Sequence, residues 1–207
     1  MGDGGMVNIV QEDRLKQKFV TAVSPYFHVK PEVKGKHLAD GYPVRIDFLI
    51  LPKKELVAVG FDPWWAGVEV KHLGADCGTK KVNQLFAQAI TYQQCVYHGD
   101  NHDIRPIFTL LHTDNQDDNA TFGYLRSLAQ YLNVGTFEFT RYGWKIGFGG
   151  GSYFRYGRYN GVPNLIKGNV PNLGTKLYIG NATIGRDLTT EKYIPERYHV
   201  ERSTTIP

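Results

Sequence analysis

An aspartate at position 47 and the triplet Glu69-Val70-Lys71, 22 residues further on, are the residues whose types and spacing could do chemistry. Each stands in an apolar run, Arg45-Ile46-Asp47-Phe48-Leu49-Ile50-Leu51 in one case and Gly67-Val68-Glu69-Val70-Lys71 in the other. Such runs predict strands, and the two-residue period of a strand sets Glu69 and Lys71 on one face with Val68 and Val70 on the other. A charged group among neighbours of this kind is costly unless something pairs with it. Two carboxylates and an amine brought together in this way suit a divalent cation. Asp47 and Glu69 offer the hard oxygen ligands that Mg²⁺ accepts beside several waters, and Lys71 is left to act on a substrate anion or a water.

The element expected to stand over these strands is a helix from Lys80 to Tyr97, with Val82, Leu85, Phe86, Ala89, Ile90 and Val96 on an apolar stripe. Gln84, Gln88 and Tyr92 recur at spacing four along an adjacent line. They are either the polar flank of a packed helix or, for Gln88 and Tyr92, groups facing the carboxylates. There an amide and a phenol can orient Lys71, a water or a phosphate oxygen.

Asp47, then Glu69-Val70-Lys71, then Gln88-x-x-x-Tyr92 on a downstream helix resembles the PD-(D/E)XK nuclease superfamily, in its RecB-like and lambda-exonuclease-like branches. The resemblance spans roughly residues 11–140, and Ile46 stands where the family's name has proline. It implies an α/β fold with a restriction-endonuclease-like αβββαβ core, a mixed central sheet flanked by helices. It also implies Mg²⁺ or Mn²⁺ held by Asp47, Glu69 and the Val70 carbonyl. Lys71 would stabilise the pentavalent phosphate or assist the attacking water, with Gln88 and Tyr92 ordering that group. The reaction implied is phosphodiester hydrolysis by a metal-activated water, with DNA the favoured substrate. The family often draws a further acid from the helix before the sheet. Glu12 is the candidate there, although an ordinary helix-start acid is the favoured reading of it; Glu32, near the mouth of the sheet, is another, which an edge-strand acid facing water explains equally well.

A chain of 207 residues fits one domain, or one domain with a sizeable appendage. An apolar fraction of 42% with 13% aromatics argues against disorder. No apolar run approaches the ~18 residues needed to span a bilayer, so no membrane partner is expected. Residues 1–10 open Gly-rich and acidic, without the basic start and apolar stretch of a signal peptide, and read as a loose leader. Cys77 and Cys95 make no metal-ligand spacing, which points to idle thiols in a reducing compartment and a cytoplasmic location.

Along the chain, Gln11 to Val23 has the period of a helix, and Tyr26 to Val33 and Pro43 to Leu51 read as the first two strands. Leu56 to Gly60 is expected to extend their hairpin, and Trp64-Trp65 to act as a hydrophobic plug. His98 to Asp103 and Asp114 to Asn119 read as solvated loops, Ile104 to His112 as a fourth core strand and Val134 to Thr140 as a fifth. Between those last two, Ala120 to Leu132 predicts a helix with Phe122, Leu125, Leu128, Ala129 and Leu132 inward.

Residues 141–207 are a different material. Residues 1–140 carry 14 Lys/Arg against 16 Asp/Glu, whereas 141–207 carry 10 against 4. From Arg141 to Arg186 there are seven basic residues and no acidic one. Arg141, Lys145, Tyr153, Arg155, Tyr156, Arg158 and Lys167 interleave cations and rings in a Gly-rich, hairpin-forming extension. One reading is a nucleic-acid surface, with cations on phosphates and rings on bases. The other is a β extension packed on the core or on a twin subunit, making a homo-oligomer. Two further functions compete with the nuclease: a non-catalytic nucleic-acid-binding or assembly protein of the same fold, and an RNA-directed endonuclease. The second usually takes a His ligand from the first helix, and no His occurs between Gln11 and Tyr26.

Overall fold

Runs of β-branched and aromatic residues alternate with amphipathic stretches, and the computed structural model turns them into interleaved strands and helices. It describes residues 3–74, 78–100, 102–114, 120–141, 143–149, 151–159 and 162–167, with backbone alone for 3–9, 158–159 and 162–167. The order is α1 (Asp3–Val23), β1 (Phe27–His37), β2 (Pro43–Pro52), α2 (Lys54–Ala58), β3 (Ala66–Lys71), α3 (Thr79–Tyr92), β4 (Cys95–His98) and β5 (Asp103–Ile104). β6 (Thr109–Thr113), α4 (Ala120–Ala129) with one 3₁₀ turn, β7 (Val134–Thr140), β8 (Gly143–Phe148), β9 (Gly151–Tyr159) and β10 (Val162–Lys167) follow. The protein is a mixed α/β fold. Its described strands form one mixed sheet in the order β10-β9-β8-β7-β6-β3-β2-β1-β4-β5. β1, β2 and β3 run as an antiparallel meander, and β3, β6 and β7 are parallel neighbours.

Helices cover both faces of the centre of this sheet. α1 sets Phe19 and Val23 against Phe48, Ile50, Val68, Val70, Leu110 and Phe137. α3 and α4 bring Val82, Leu85, Phe86, Ala89, Phe122 and Ala129 against Leu111 and Val134. With both faces covered, β3 and β6 are buried along almost their whole length, their polar positions included. Each such large side chain contributes about 1.5–3 kcal/mol by leaving water. Among the described residues, no helix is long and apolar enough to cross a membrane.

Several elements differ from the sequence expectation. α1 begins at Asp3 rather than Gln11, inside the stretch read as a leader. Leu56 lies in a short helix instead of a hairpin extension. The helix expected to reach Tyr97 ends at Tyr92; Gln93 and Gln94 turn, and Cys95-Val96-Tyr97 pairs with β1. Val96 fits an apolar stripe of either period, and the free edge of β1 decides for the strand. Ile104 to His112 is split around Pro106 into β5 and β6. On α4 the inward side chains are Phe122 and Ala129 with Leu125 partly buried, while Leu128 and Leu132 are 48% and 38% exposed. Asn133, at φ 55°, ends that helix in the left-handed region and turns the chain into β7. Trp65 is buried and Trp64 partly so, as a plug should be.

The described part of the C-terminal extension continues the sheet. β8 pairs with β7, β9 with β8 and β10 with β9, all antiparallel. Trp144, Ile146, Phe148, Tyr153 and Phe154 belong to the same core as Phe19 and Phe27. This corrects one expectation directly. Tyr153 is 1% exposed, and its hydroxyl donates to Asp62 Oδ2 at 2.5 Å. Its ring packs against Phe61, Phe108 and Phe148 and has no face free for a base. Tyr156 is half-buried against Tyr26 and Trp144. Lys145 is held by Glu138 at 2.6 Å, whereas Arg141 and Arg155 are exposed. The side chains of Arg158 and Lys167 lie outside the described residues, as do Cys77 and everything beyond Lys167.

Candidate active site

The β2–β3 pairing brings the two predicted carboxylates together. Phe48 pairs with Val68, so one position further along the antiparallel ladder Asp47 and Glu69 come opposite each other. Both are buried, at 9% and 7% exposure. Asp47 is fixed twice: its Oδ2 accepts the Val70 N–H at 2.8 Å, and its Oδ1 takes the Lys16 ammonium at 2.5 Å. Lys16 comes from α1 and also reaches Glu32 Oε1 at 3.4 Å and Glu12 Oε1 at 3.8 Å. Lys71, at the end of β3, pairs with Glu12 Oε2 at 2.9 Å. Arg45 Nε pairs with Glu32 Oε2 at 3.0 Å. Acids and cations from α1, β1, β2 and β3 therefore converge on one place.

Glu69 is the member of this group with the greatest charge deficit. Burial, and then the charge of Asp47, push its carboxyl up to about 8. Burial also raises Asp47, against the pull of Lys16 and the Val70 N–H. Lys16 loses some charge stability to burial, yet its hydrogen bond and charge contact with Asp47, helped by Glu32 and Glu12, hold it above its ordinary value. A buried carboxylate pair short of positive charge is the electrostatic setting that favours a bound cation.

α3 supplies the next layer. Gln88 Nε2 donates to the Tyr92 hydroxyl at 2.5 Å, and that hydroxyl donates to the Arg45 carbonyl at 2.9 Å. The Tyr92 phenol lies close enough to Glu69 to feel its charge: burial, followed by that charge, holds the phenol well above its usual value. Gln88 and Tyr92 thus stand beside the carboxylates through one phenol, whose single proton goes to the Arg45 carbonyl. If Gln88 orders that proton, Gln88→Ala lowers turnover by about tenfold or more while leaving the thermal midpoint nearly unchanged. An ordinary helix-surface Gln changes both by little. Turnover equal to wild type would return α3 to a purely structural role.

Among the described residues, no three acidic, histidine or cysteine groups close on one point. Glu12 and Glu32 are turned onto Lys16, Lys71 and Arg45, and Asp47 also holds Lys16, so Asp47 and Glu69 make a two-carboxylate site in which one Asp47 oxygen is shared with an ammonium. Mg²⁺ is commonly held by one or two carboxylates with waters, so this donor set fits it. The structure brings together Asp47, Glu69, Lys71, Gln88, Tyr92, Glu12 and Glu32, all named from the sequence. Lys16 and Arg45 are the members that residue patterns do not single out. The Glu12/Lys16 spacing of four on a helix is the one signal for Lys16; Arg45 carries none beyond its place two residues before Asp47. No family model, curated protein or solved structure matches the chain.

Proposed function

We propose that the protein is a metal-dependent nuclease with a PD-(D/E)XK-type core that hydrolyses phosphodiester bonds of nucleic acid, DNA first. The observation that carries this reading is the buried Asp47–Glu69 pair on adjacent strands, with Lys71 two residues on and the Gln88–Tyr92 pair against Glu69. The order β1-β2-β3-β6-β7, with α1 ahead of it and α3 between β3 and β6, supports a restriction-endonuclease-like core.

In this reading Asp47, Glu69 and the Val70 carbonyl would hold Mg²⁺ or Mn²⁺, with Glu12 or Glu32 as the source of a further acid. When bound, such an ion supplies Lewis acidity and a nucleophilic water at neutral pH. The chain's own contributions are positional. The Val70 N–H fixes the Asp47 rotamer, and Tyr92, set by Gln88, ties α3 to the β2 backbone beside Glu69. Lys71 exchanges Glu12 for a phosphate oxygen and meets the charge that builds up there. Lys16 favours the competing reading, a nucleic-acid binder without catalysis, because its ammonium already neutralises Asp47. The deciding experiment offers the purified protein labelled linear, circular, single-stranded and RNA substrates with Mg²⁺, Mn²⁺ or EDTA. Cleavage that requires the metal is the expected result. Metal-independent binding with no cleavage of any substrate would leave the binder.

A further inference from the structure

The charges on the β1–β2 hairpin are arranged against the hairpin's own stability. Lys34 and Arg45 are cross-strand partners, and like charges directly opposite destabilise a ladder. Lys36 follows Lys34 on the same side of the strand. Lys34 and Lys36 are exposed, and among the described residues neither has an ion-pair partner. Arg45 has Glu32, yet its side chain remains 67% exposed. At the tip, Tyr42 is 44% exposed and lies parallel to the buried His37 ring, 4.8 Å away with an interplanar angle of 7°. The imidazole covers one side of the phenol and leaves the other to solvent.

The tip is also held in place. The His37 N–H donates to the Tyr42 carbonyl and the Gly41 N–H to the His37 carbonyl, each at 2.9 Å. Gly41 sits at φ 71°, where a side chain would be strained. The Leu38 N–H donates to the Gln94 carbonyl at 2.9 Å, tying the tip to the turn after α3. Arg45 lies two strand residues, about 7 Å, from Asp47, and its carbonyl accepts the Tyr92 hydroxyl. The cationic row therefore starts at the carboxylate site and ends at a supported ring.

We infer that the β1–β2 hairpin is the arm that holds a single-stranded stretch of nucleic acid beside the carboxylates, with Lys34, Lys36 and Arg45 on its phosphates and Tyr42 stacked on an unpaired base. Phosphates supply the negative charge that Lys34 and Lys36 lack and that Arg45 draws from Glu32. Only an unpaired base offers its face to a ring, which selects the single strand. β8 and β9 are a weaker match, since Lys145 is paired with Glu138 and Tyr153 is buried. The inference rests on the nuclease reading for its substrate class and adds the surface and the strandedness.

The test is binding of a fluorescein-labelled oligothymidylate, followed by anisotropy in EDTA over a salt series. Lys34→Gln with Lys36→Gln flattens the fall of log affinity with log salt by about 1.4, at roughly 0.7 for each single-strand phosphate that is no longer neutralised. Tyr42→Leu keeps an apolar cover on His37, leaves the slope unchanged and weakens binding by about 5- to 150-fold. Tyr42→Phe restores it, and on a duplex of equal length Tyr42→Leu has no effect. Unchanged binding in the lysine pair, or a Tyr42→Leu loss equal on duplex and single strand, overturns the inference. EDTA separates the two readings. Metal-dependent cleavage with hairpin variants that bind like wild type overturns the hairpin alone. Hairpin effects in a protein that cuts nothing overturn the nuclease reading instead.

Discussion

Asp47→Ala and Glu69→Gln each lower metal-dependent cleavage by about a thousandfold or more, the several kcal/mol of transition-state stabilisation expected of a catalytic metal's ligands. In stability they separate. Asp47→Ala leaves the buried Val70 N–H without its acceptor and Lys16 without its closest anion, at a cost of about 1–3 kcal/mol for the orphaned donor. Glu69→Gln removes no ion pair and relieves repulsion from Asp47, so the metal-free variant is at least as stable as wild type. Cleavage assays beside urea unfolding in EDTA check both halves. Full activity in either variant would take these residues out of the site, and equal stability of the two would refute the separate roles given to their surroundings.

The second large effect is on stability against pH. In the folded protein Glu69 keeps its proton up to about 8, whereas an ordinary glutamate near 4.5 has already lost it. The folded state therefore binds more protons through that window, and its advantage is complete below about 4.5 and lost as pH rises through about 8. Burial holds His112 down at about 4 from an ordinary 6.5, so its contribution is present above 6.5 and lost as pH falls through about 4. The two trends oppose each other in acid. Above pH 6.5 only the carboxylates act, and metal-free stability falls toward pH 8 by at most about 1.4 kcal/mol per unit for one proton. Glu69→Gln flattens this fall. Saturating Mn²⁺ removes it in wild type, because a cation on Glu69 holds the carboxylate ionised and so takes away the difference in bound protons between the folded and unfolded states. Parallel pH curves for wild type and Glu69→Gln would show that Glu69 does not carry the effect.

How legible the site is in the sequence follows from where its residues come from. Asp47, Glu69 and Lys71 announce themselves because a charge inside a strand run breaks a two-residue pattern. Gln88 and Tyr92 do so because spacing four places them on one line of a helix. Glu32 adopts φ 51°, which no pattern of residue types foretells, and meets Lys16 only because α1 crosses the sheet there. Contacts between elements of this kind depend on packing, which periodicity does not encode. The alternation of elements foretells the order of strands and helices at the core, whereas β4 is hidden because Val96 satisfies a helical and a strand period alike. In the extension, alternating rings and cations read the same for a buried sheet as for a nucleic-acid surface. The irregularity in the β8–β9 ladder, where Phe154 pairs with Ile146 and Ser152 with Gly147, passes over Tyr153, which lies in the core while Arg155 stays outside.

The claim on which the rest depends is that Asp47 and Glu69 form one cation site, and equilibrium uptake of Mn²⁺ by the protein without substrate tests it most directly. Free Mn²⁺ is counted by electron paramagnetic resonance during titration of wild type, Asp47→Ala and Glu69→Gln, each first checked for folding by circular dichroism. The expected result is a saturable site in wild type that is lost or severely weakened in both variants. Equal uptake by all three proteins, or none by wild type, would contradict the account.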